Sequence, residues 1–361
     1  MTTVTTQHPT PSLPTTMRAQ RLHVPTRAMS VQDVPVPRPG PGQVLVDVAY
    51  CGICHSDLAL LDGTFGDPRG PETITQGHAA SGTIAALGEG VTGWAVGDRV
   101  VPAAGRPCRR CDRCRRGDLV NCDDLLLMAF AYDGAWAEYT LAEAGGLTRV
   151  PDGVPLDQAA LLADAVSTPF GAVVHTAAVR PGEAVGVWGV GGVGTHLVQL
   201  ARLVGAVPVV ALDLDPAVRE RALAVGADLA LDPRDPDLRE RIVEATEGHL
   251  LDVAFDAVGL SSTFEQGLAM LAPRGRVVGV GLSAQELSLG SSASFNLSRK
   301  QVLGHLGYRN SDIGTLARLL AAGRLDLSRS VSAVVALEDI EDGIRQLHER
   351  RGNPVRVLVQ P

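Results

Sequence analysis

The sequence predicts an α/β protein in which a doubly wound parallel sheet is joined to a second, strand-rich domain, and three observations predict it. The first is a G-V-G-G-V-G run, Gly189 to Gly194, between an apolar stretch at 183–188 and apolar residues at 197, 200, 201 and 204. Those later positions recur at helical spacing, so the expected unit is strand, tight turn, helix. The second is another apolar run, 207–212, which ends in Asp213, nineteen residues after Gly194. A dinucleotide-binding fold places its ribose-binding carboxylate there. The third is the alternation of short apolar runs with Pro and Gly clusters after Met17, as in 35–42 ahead of 44–48. That pattern suits the strands of a barrel-like domain.

The glycine turn justifies a Rossmann-type half. Gly189, Gly191, Gly192 and Gly194, with Val193 between them, let the turn be tight, let backbone N–H groups approach a pyrophosphate, and let the helix start close to the strand. A glycine-rich turn in some other α/β protein is the alternative reading. Asp213 and Asp215 favour NAD, because a carboxylate accepts both ribose hydroxyls while two acids repel the 2′-phosphate of NADP, and no Arg directly follows Asp213. The apolar runs 252–258 and 276–282 end in glycine-containing turns and are expected to be further parallel strands. Helical patterns are expected over 167–178 and 313–322, with a last strand at 355–359. His175 reads as an ordinary helix residue.

At 361 residues, 45% apolar and 20% charged, the chain is globular and long enough for two cores. A formal charge of -8 spread along the chain argues against nucleic acid or a membrane surface as partner. No stretch has the length of a membrane span and no secretory signal opens the chain, so a cytoplasmic location is expected. Residues 1–16, mostly Thr, Pro, Ser and Gln, read as a disordered tail rather than a targeting helix, which their prolines would spoil. The six cysteines fall between Cys51 and Cys122, a distribution suited to metal ligands rather than to a disulfide scaffold.

The stretch C-G-I-C-H-S-D, Cys51 to Asp57, gathers a thiol, an imidazole, a hydroxyl and a carboxylate, and His78 follows in G-H-A-A-S-G. Cys108, Cys111, Cys114 and Cys122 then form C-x2-C-x2-C-x7-C. With the dinucleotide unit downstream, these residues resemble the zinc-dependent medium-chain alcohol dehydrogenases from Met17 to the C-terminus. The resemblance implies a GroES-like catalytic domain over 17–165 and 305–361 and an NAD-binding Rossmann domain over 166–304. It implies a catalytic zinc on Cys54 and His78, with Cys51 buried and not a ligand. The third ligand falls on Asp164, where the family usually has cysteine; some members that oxidise secondary alcohols carry aspartate there. Zn²⁺ with one thiolate, one neutral imidazole and one carboxylate sums to zero and leaves the fourth position open. The four-cysteine run matches the family's structural zinc lobe, giving two zincs per chain. An iron-sulfur cluster is its alternative. The interleaved Arg106, Arg109, Arg110, Arg113, Arg115 and Arg116 read alone as a nucleic-acid patch, and with four thiolates and Asp112, Asp118, Asp123 and Asp124 beside them as local charge balance.

By the same match Ser56 takes the alcohol proton, His55 contacts the cofactor phosphate, Thr168 packs beside the nicotinamide and Arg356 lies on the pyrophosphate. Each has a plainer reading: a surface histidine for His55, a helix cap near Leu58 for Asp57, a turn carboxylate for Asp164, a surface residue for Arg356. Asp57 can cap and also orient His78. Two departures stand out. Ala79 replaces the family's glutamate behind the zinc, and Ala59 replaces the histidine that ends its proton relay. Phe65, Tyr132, Trp136 and Leu306 are candidates for the substrate pocket. The expected activity is hydride transfer between a small-molecule alcohol, expected to be secondary, and NAD, reversible to ketone or aldehyde reduction, in a homodimer or homotetramer. The alternatives are a repurposed reductase of imines or conjugated alkenes, and a catalytically silent NAD-binding protein.

Overall fold

The structure is a computed structural model and describes residues 13–64 and 70–361. Its parallel sheet is built on Val185–Trp188, whose four residues are all buried. Val209–Leu212 lies on one side of it and Leu251–Asp256 on the other. Leu229–Leu231 extends the first side, and Leu271–Gly279 then Gln301–Gly304 extend the second, all parallel. In chain order this is 3-2-1-4-5-6, so the order reverses between the first and fourth strands, where such sheets open a ligand crevice at the strands' carboxyl ends. The glycine turn sits at that reversal. The helix it opens, Gly192–Leu203, buries Leu197, Val198, Leu200 and Ala201 against the sheet. It starts ahead of the first apolar position at 197, because Gly192 and Gly194 themselves fall in its first turn.

The second domain centres on Gln43–Gly52, which pairs antiparallel with Ala79–Leu87, Tyr139–Glu143 and the chain's last strand, Arg356–Gln360. Gly52 stands opposite Ala79 and also opposite Leu358. That register brings the residues just beyond Gly52, just before Ala79 and at the start of the last strand to one end of the sheet. One cluster of buried side chains runs from Val101 and Val150 of this half to Val185, Leu197 and Val209 of the other. The two halves therefore meet over a shared apolar core, and Ala159 to Val166, almost wholly buried, threads through it.

Several boundaries differ from the sequence reading. The tail expected over 1–16 is cut short, because Thr16 already pairs with Pro35 in the strand Thr16–His23; residues 1–12 lie outside the described ones, as does Phe65. The expected strand at 207–212 begins at Val209, and those at 252–258 and 276–282 are Leu251–Asp256 and Leu271–Gly279. The helical pattern at 167–178 divides into an α-helix, Ser167–Phe170, and a π-helix, Gly171–Thr176. The helix near 313 is Asn310–Ala321, and the last strand runs to Gln360. Leu229–Leu231 and Gln301–Gly304 are too short to show a period.

Candidate metal centre and cofactor cleft

A cleft of about 2320 Å³ opens between the two halves. Its lining includes Cys54, His55, Ser56, His78, Asp164, Thr168, the turn from Gly189 to Gly194, Asp213 and Arg356. Cys54 is the N-cap of the helix His55–Leu61, so the helix begins at His55 and not near Leu58. Asp57 closes that cap from the third helical position: Oδ2 accepts the Cys54 N–H at 3.0 Å, and Oδ1 lies 3.2 Å from His78 Nδ1. Wholly buried, Asp57 does both jobs at once. It fixes the helix start and turns His78 Nε2 towards Ser56 and Asp164.

His78 follows Gly77, whose φ is +88°. A Cβ at residue 77 would meet Trp136 Cδ1 at 2.4 Å and Cys51 Sγ at 2.8 Å, so only glycine brings the chain this close to the packed indole. Trp136 is thus a fully buried support beneath the centre rather than a pocket wall, a correction to the sequence reading. Tyr132 also stands outside the cleft lining, beneath the Arg106 guanidinium at 4.2 Å. Leu306 does line the cleft and is 75% exposed.

One ligand atom each from Cys54, His78 and Asp164 lies within 4.8 Å of the others, with His78 Nε2 to Asp164 Oδ2 at 3.9 Å. A tetrahedral zinc with bonds of about 2.0–2.3 Å puts its ligand atoms roughly 3.3–3.8 Å apart. The thiolate, imidazole and carboxylate set fits such an ion with small adjustments. Burial would raise the Asp164 carboxyl, but the Arg356 guanidinium, then His78, holds it below the usual range. Burial likewise opposes a proton on His78, yet Asp57 beside it raises that histidine well above its ordinary value. Ser56 Oγ is 3.4 Å from His78 Nε2. Thr168 Oγ1 donates to Asp164 Oδ1 at 3.3 Å, and its carbonyl faces His305 Nε2 at 2.9 Å. Cys51 is fully buried and its thiol is pushed up by burial.

Arg356 lines the cleft and also meets Asp164. Its side chain is only 3% exposed, Nη1 donates to the Ile53 carbonyl at 2.9 Å, and Nη2 donates to Asp164 Oδ2 at 3.3 Å. The guanidinium therefore sits against the candidate metal ligand, and Nε is buried without a hydrogen-bond partner among the described residues. His175, read as an ordinary helix residue, has Nε2 2.9 Å from the buried Asp312 and ties its helix to Asn310–Ala321. Sequence reasoning missed Tyr308, which lines the cleft and accepts the Ala104 N–H at 3.1 Å. Only its nearness to Leu306 could have drawn attention to it.

Beside the glycine turn, Asp213 accepts the Val190 and Asp215 N–H groups, which orients it across that turn. Asp215 caps the helix Pro216–Ala224 and holds Asn353. Three arginines stand nearby, each engaged: Arg219 on the Asp213 and Leu214 carbonyls, Arg221 on the Val190 and Asn353 carbonyls, Arg234 on Asp232.

The four cysteine sulfurs of the lobe also lie within 4.8 Å of one another, with Cys111 and Cys122 3.9 Å apart. Backbone N–H groups point at the sulfurs of Cys108, Cys111 and Cys122, as thiolates require. Arg110, Arg113 and Arg115 pair with Asp124, Asp123 and Asp112 respectively. Half of the six arginines of the basic run are thus paired with the lobe's own acids, and Arg106 is paired with Glu143.

Comparison with known proteins agrees with this architecture. Residues 40–152 match the family model of the alcohol dehydrogenase GroES-like domain, and residues 192–322 match that of the zinc-binding dehydrogenases. Sorbitol dehydrogenase of Bacillus subtilis (strain 168) is 30% identical over 98% of this chain and 99% of its own. A zinc-binding dehydrogenase of Sinorhizobium meliloti 1021, solved with NADP, superposes with a TM-score of 0.88 at 28% identity, covering 96% of this chain and 99% of that one. The 2R,3R-butanediol dehydrogenase of Bacillus subtilis gives 0.87 at 26% identity, covering 96% and 99%.

Proposed function

The chain belongs to the zinc-dependent medium-chain alcohol dehydrogenase family, and from that premise we propose that it interconverts a secondary alcohol and its ketone with NAD, using Cys54, His78 and Asp164 to hold the catalytic zinc. Zinc-dependent oxidoreduction of an alcohol with a nicotinamide dinucleotide is the activity of this family. A zinc ion on these three residues would supply a Lewis acid with one open position to the alcohol oxygen. The chain's own groups do the rest. Asp57 fixes the His78 ring, Ser56 Oγ stands on the cleft side of that ring to take the hydroxyl proton, and the glycine turn offers N–H groups to the pyrophosphate. Phe130 packs 5.9 Å from the His78 ring, and Val120, Met128 and Leu306 also line the cleft, which suits a substrate with apolar substituents.

NAD rather than NADP is favoured because Asp213 faces the cleft while Arg219, Arg221 and Arg234 are already engaged. We assign the four-cysteine lobe a second, structural zinc. The outer edge of the parallel sheet, Gln301–Gly304, unpaired among the described residues, with Leu297 four residues earlier 85% exposed, suits pairing with a second copy, so a homodimer in the cytoplasm completes the reading.

One observation carries the proposal: three ligand-type atoms from distant parts of the chain converge in a cleft that the glycine turn also lines. The test is metal content with NADH formation from a panel of primary and secondary alcohols. Wild type should hold two zincs per chain and Asp164→Ala one, with NADH formation lost. Unchanged zinc and activity in Asp164→Ala, or NADP as the better acceptor, would refute the assignment.

A further inference from the structure

The family assigns Arg356 to the pyrophosphate, while here its guanidinium lies on Asp164, and the two positions are close together. Nη2, 3.3 Å from Asp164 Oδ2, also lies 3.8 Å from where a Cβ on Gly192 would stand. Gly192 is the first residue of the twelve-residue helix whose N-terminus opens into the cleft. One terminal nitrogen of a buried cation thus reaches both the candidate metal ligand and the turn where a pyrophosphate would bind. Its Nε has no hydrogen-bond partner among the described residues, and Ala79 supplies no second carboxylate to hold it. Nη2 is its one donor to Asp164, while Nη1 holds the Ile53 carbonyl and the Cys54 sulfur also faces the guanidinium.

We propose that Arg356 is a latch coupling the two halves of the site: its ion pair with Asp164 is loosened by zinc, which claims the carboxylate, and by the dinucleotide, which claims the guanidinium. Whichever ligand binds first bears the cost of loosening the pair, and the second binds without it. Each ligand therefore strengthens the other, by the same factor in both directions. Arg356 acts as a positioning residue here, through Asp164 and not on the substrate. The inference rests on the zinc and NAD assignments made above.

The experiment measures binding, not turnover. Zinc affinity at the first centre is read by chelator competition with and without saturating NAD, and NAD affinity by titration of the one-zinc and two-zinc forms. Wild type should show zinc held roughly tenfold more tightly with NAD present, and the same factor for NAD with the first zinc present. Arg356→Met should bind both ligands with a factor near one. Its retained second zinc and melting temperature report that it is folded. Arg356→Lys should restore part of the coupling. Ala79→Glu, which gives the guanidinium a permanent partner and keeps it in place, should reduce the factor even if Arg356→Met does not fold. Independent binding in wild type, or full coupling in Arg356→Met, overturns the latch alone. Absence of any zinc at the first centre overturns the proposed function and the latch with it.

Discussion

His196 shows how a single buried side chain sets the response to acid. It lies fully buried on the helix behind the glycine turn, with Nε2 2.9 Å from Ser330 Oγ across the junction of the two halves. Burial first, then the charge of Arg356, lowers it from 6.5 to about 4. Between those values the unfolded chain takes up a proton that the folded one refuses, so stability falls as pH falls. Acidification from about pH 6.5 to about pH 4.5 should cost about 2 kcal/mol through this group, read as a falling urea midpoint. His196→Gln should flatten that part of the profile, and an unchanged slope would contradict the assignment. Asp57 is the second residue whose role can be isolated. Because its carboxylate orients the ring of His78, Asp57→Asn should weaken zinc at the first centre by about 10–100-fold while sparing the lobe zinc, measured by chelator titration.

At the scale of elements, the strand-turn-helix unit separates packing from ligand approach. A Cβ on Gly194 would lie 1.8 Å from the Gly189 carbonyl oxygen, so Gly194→Ala must push the helix off the strand. Its cost should be about 3 kcal/mol or more, seen as a large drop in melting temperature together with loss of NAD binding. A Cβ on Gly191 meets nothing within 4 Å. Gly191→Ala should therefore melt within about 0.5 kcal/mol of wild type, yet bind NAD more weakly, because the added methyl stands where the pyrophosphate approaches. Equal effects of the two substitutions on NAD and on melting would break this distinction. The helix His55–Leu61 works the same way, since the bond that closes its first turn also fixes a side chain of the metal centre.

Over the whole molecule, the centre exists because the chain leaves the catalytic half after Asp164, builds the parallel sheet, and returns to pair its last strand with Gln43–Gly52. That return carries Arg356 to the sheet end where Cys54 and His78 already stand. Among the described residues no strand pairs with the outer edge of Gln301–Gly304, and Leu297, four residues earlier in the chain, is among the most exposed apolar side chains. Leu297→Asp should shift the protein from dimer to monomer in sedimentation velocity, with its two zincs retained. A wild-type monomer would refute the proposed pairing.

The Rossmann-type half was legible because the glycine turn, the apolar runs and Asp213 are local signals, each arising from residues close in sequence. The cysteine lobe was legible for the same reason, its four ligands falling within fifteen residues. The gathering of Cys54, His78 and Asp164 had to come from resemblance, since no local pattern relates residues so far apart. Only the tertiary structure decided that Arg356 lies on Asp164, that Trp136 is a support and not a wall, and that Tyr308 borders the cleft. Strand register and the packing of the two halves fix those contacts, and such contacts depend on where distant segments meet rather than on the pattern within any one of them.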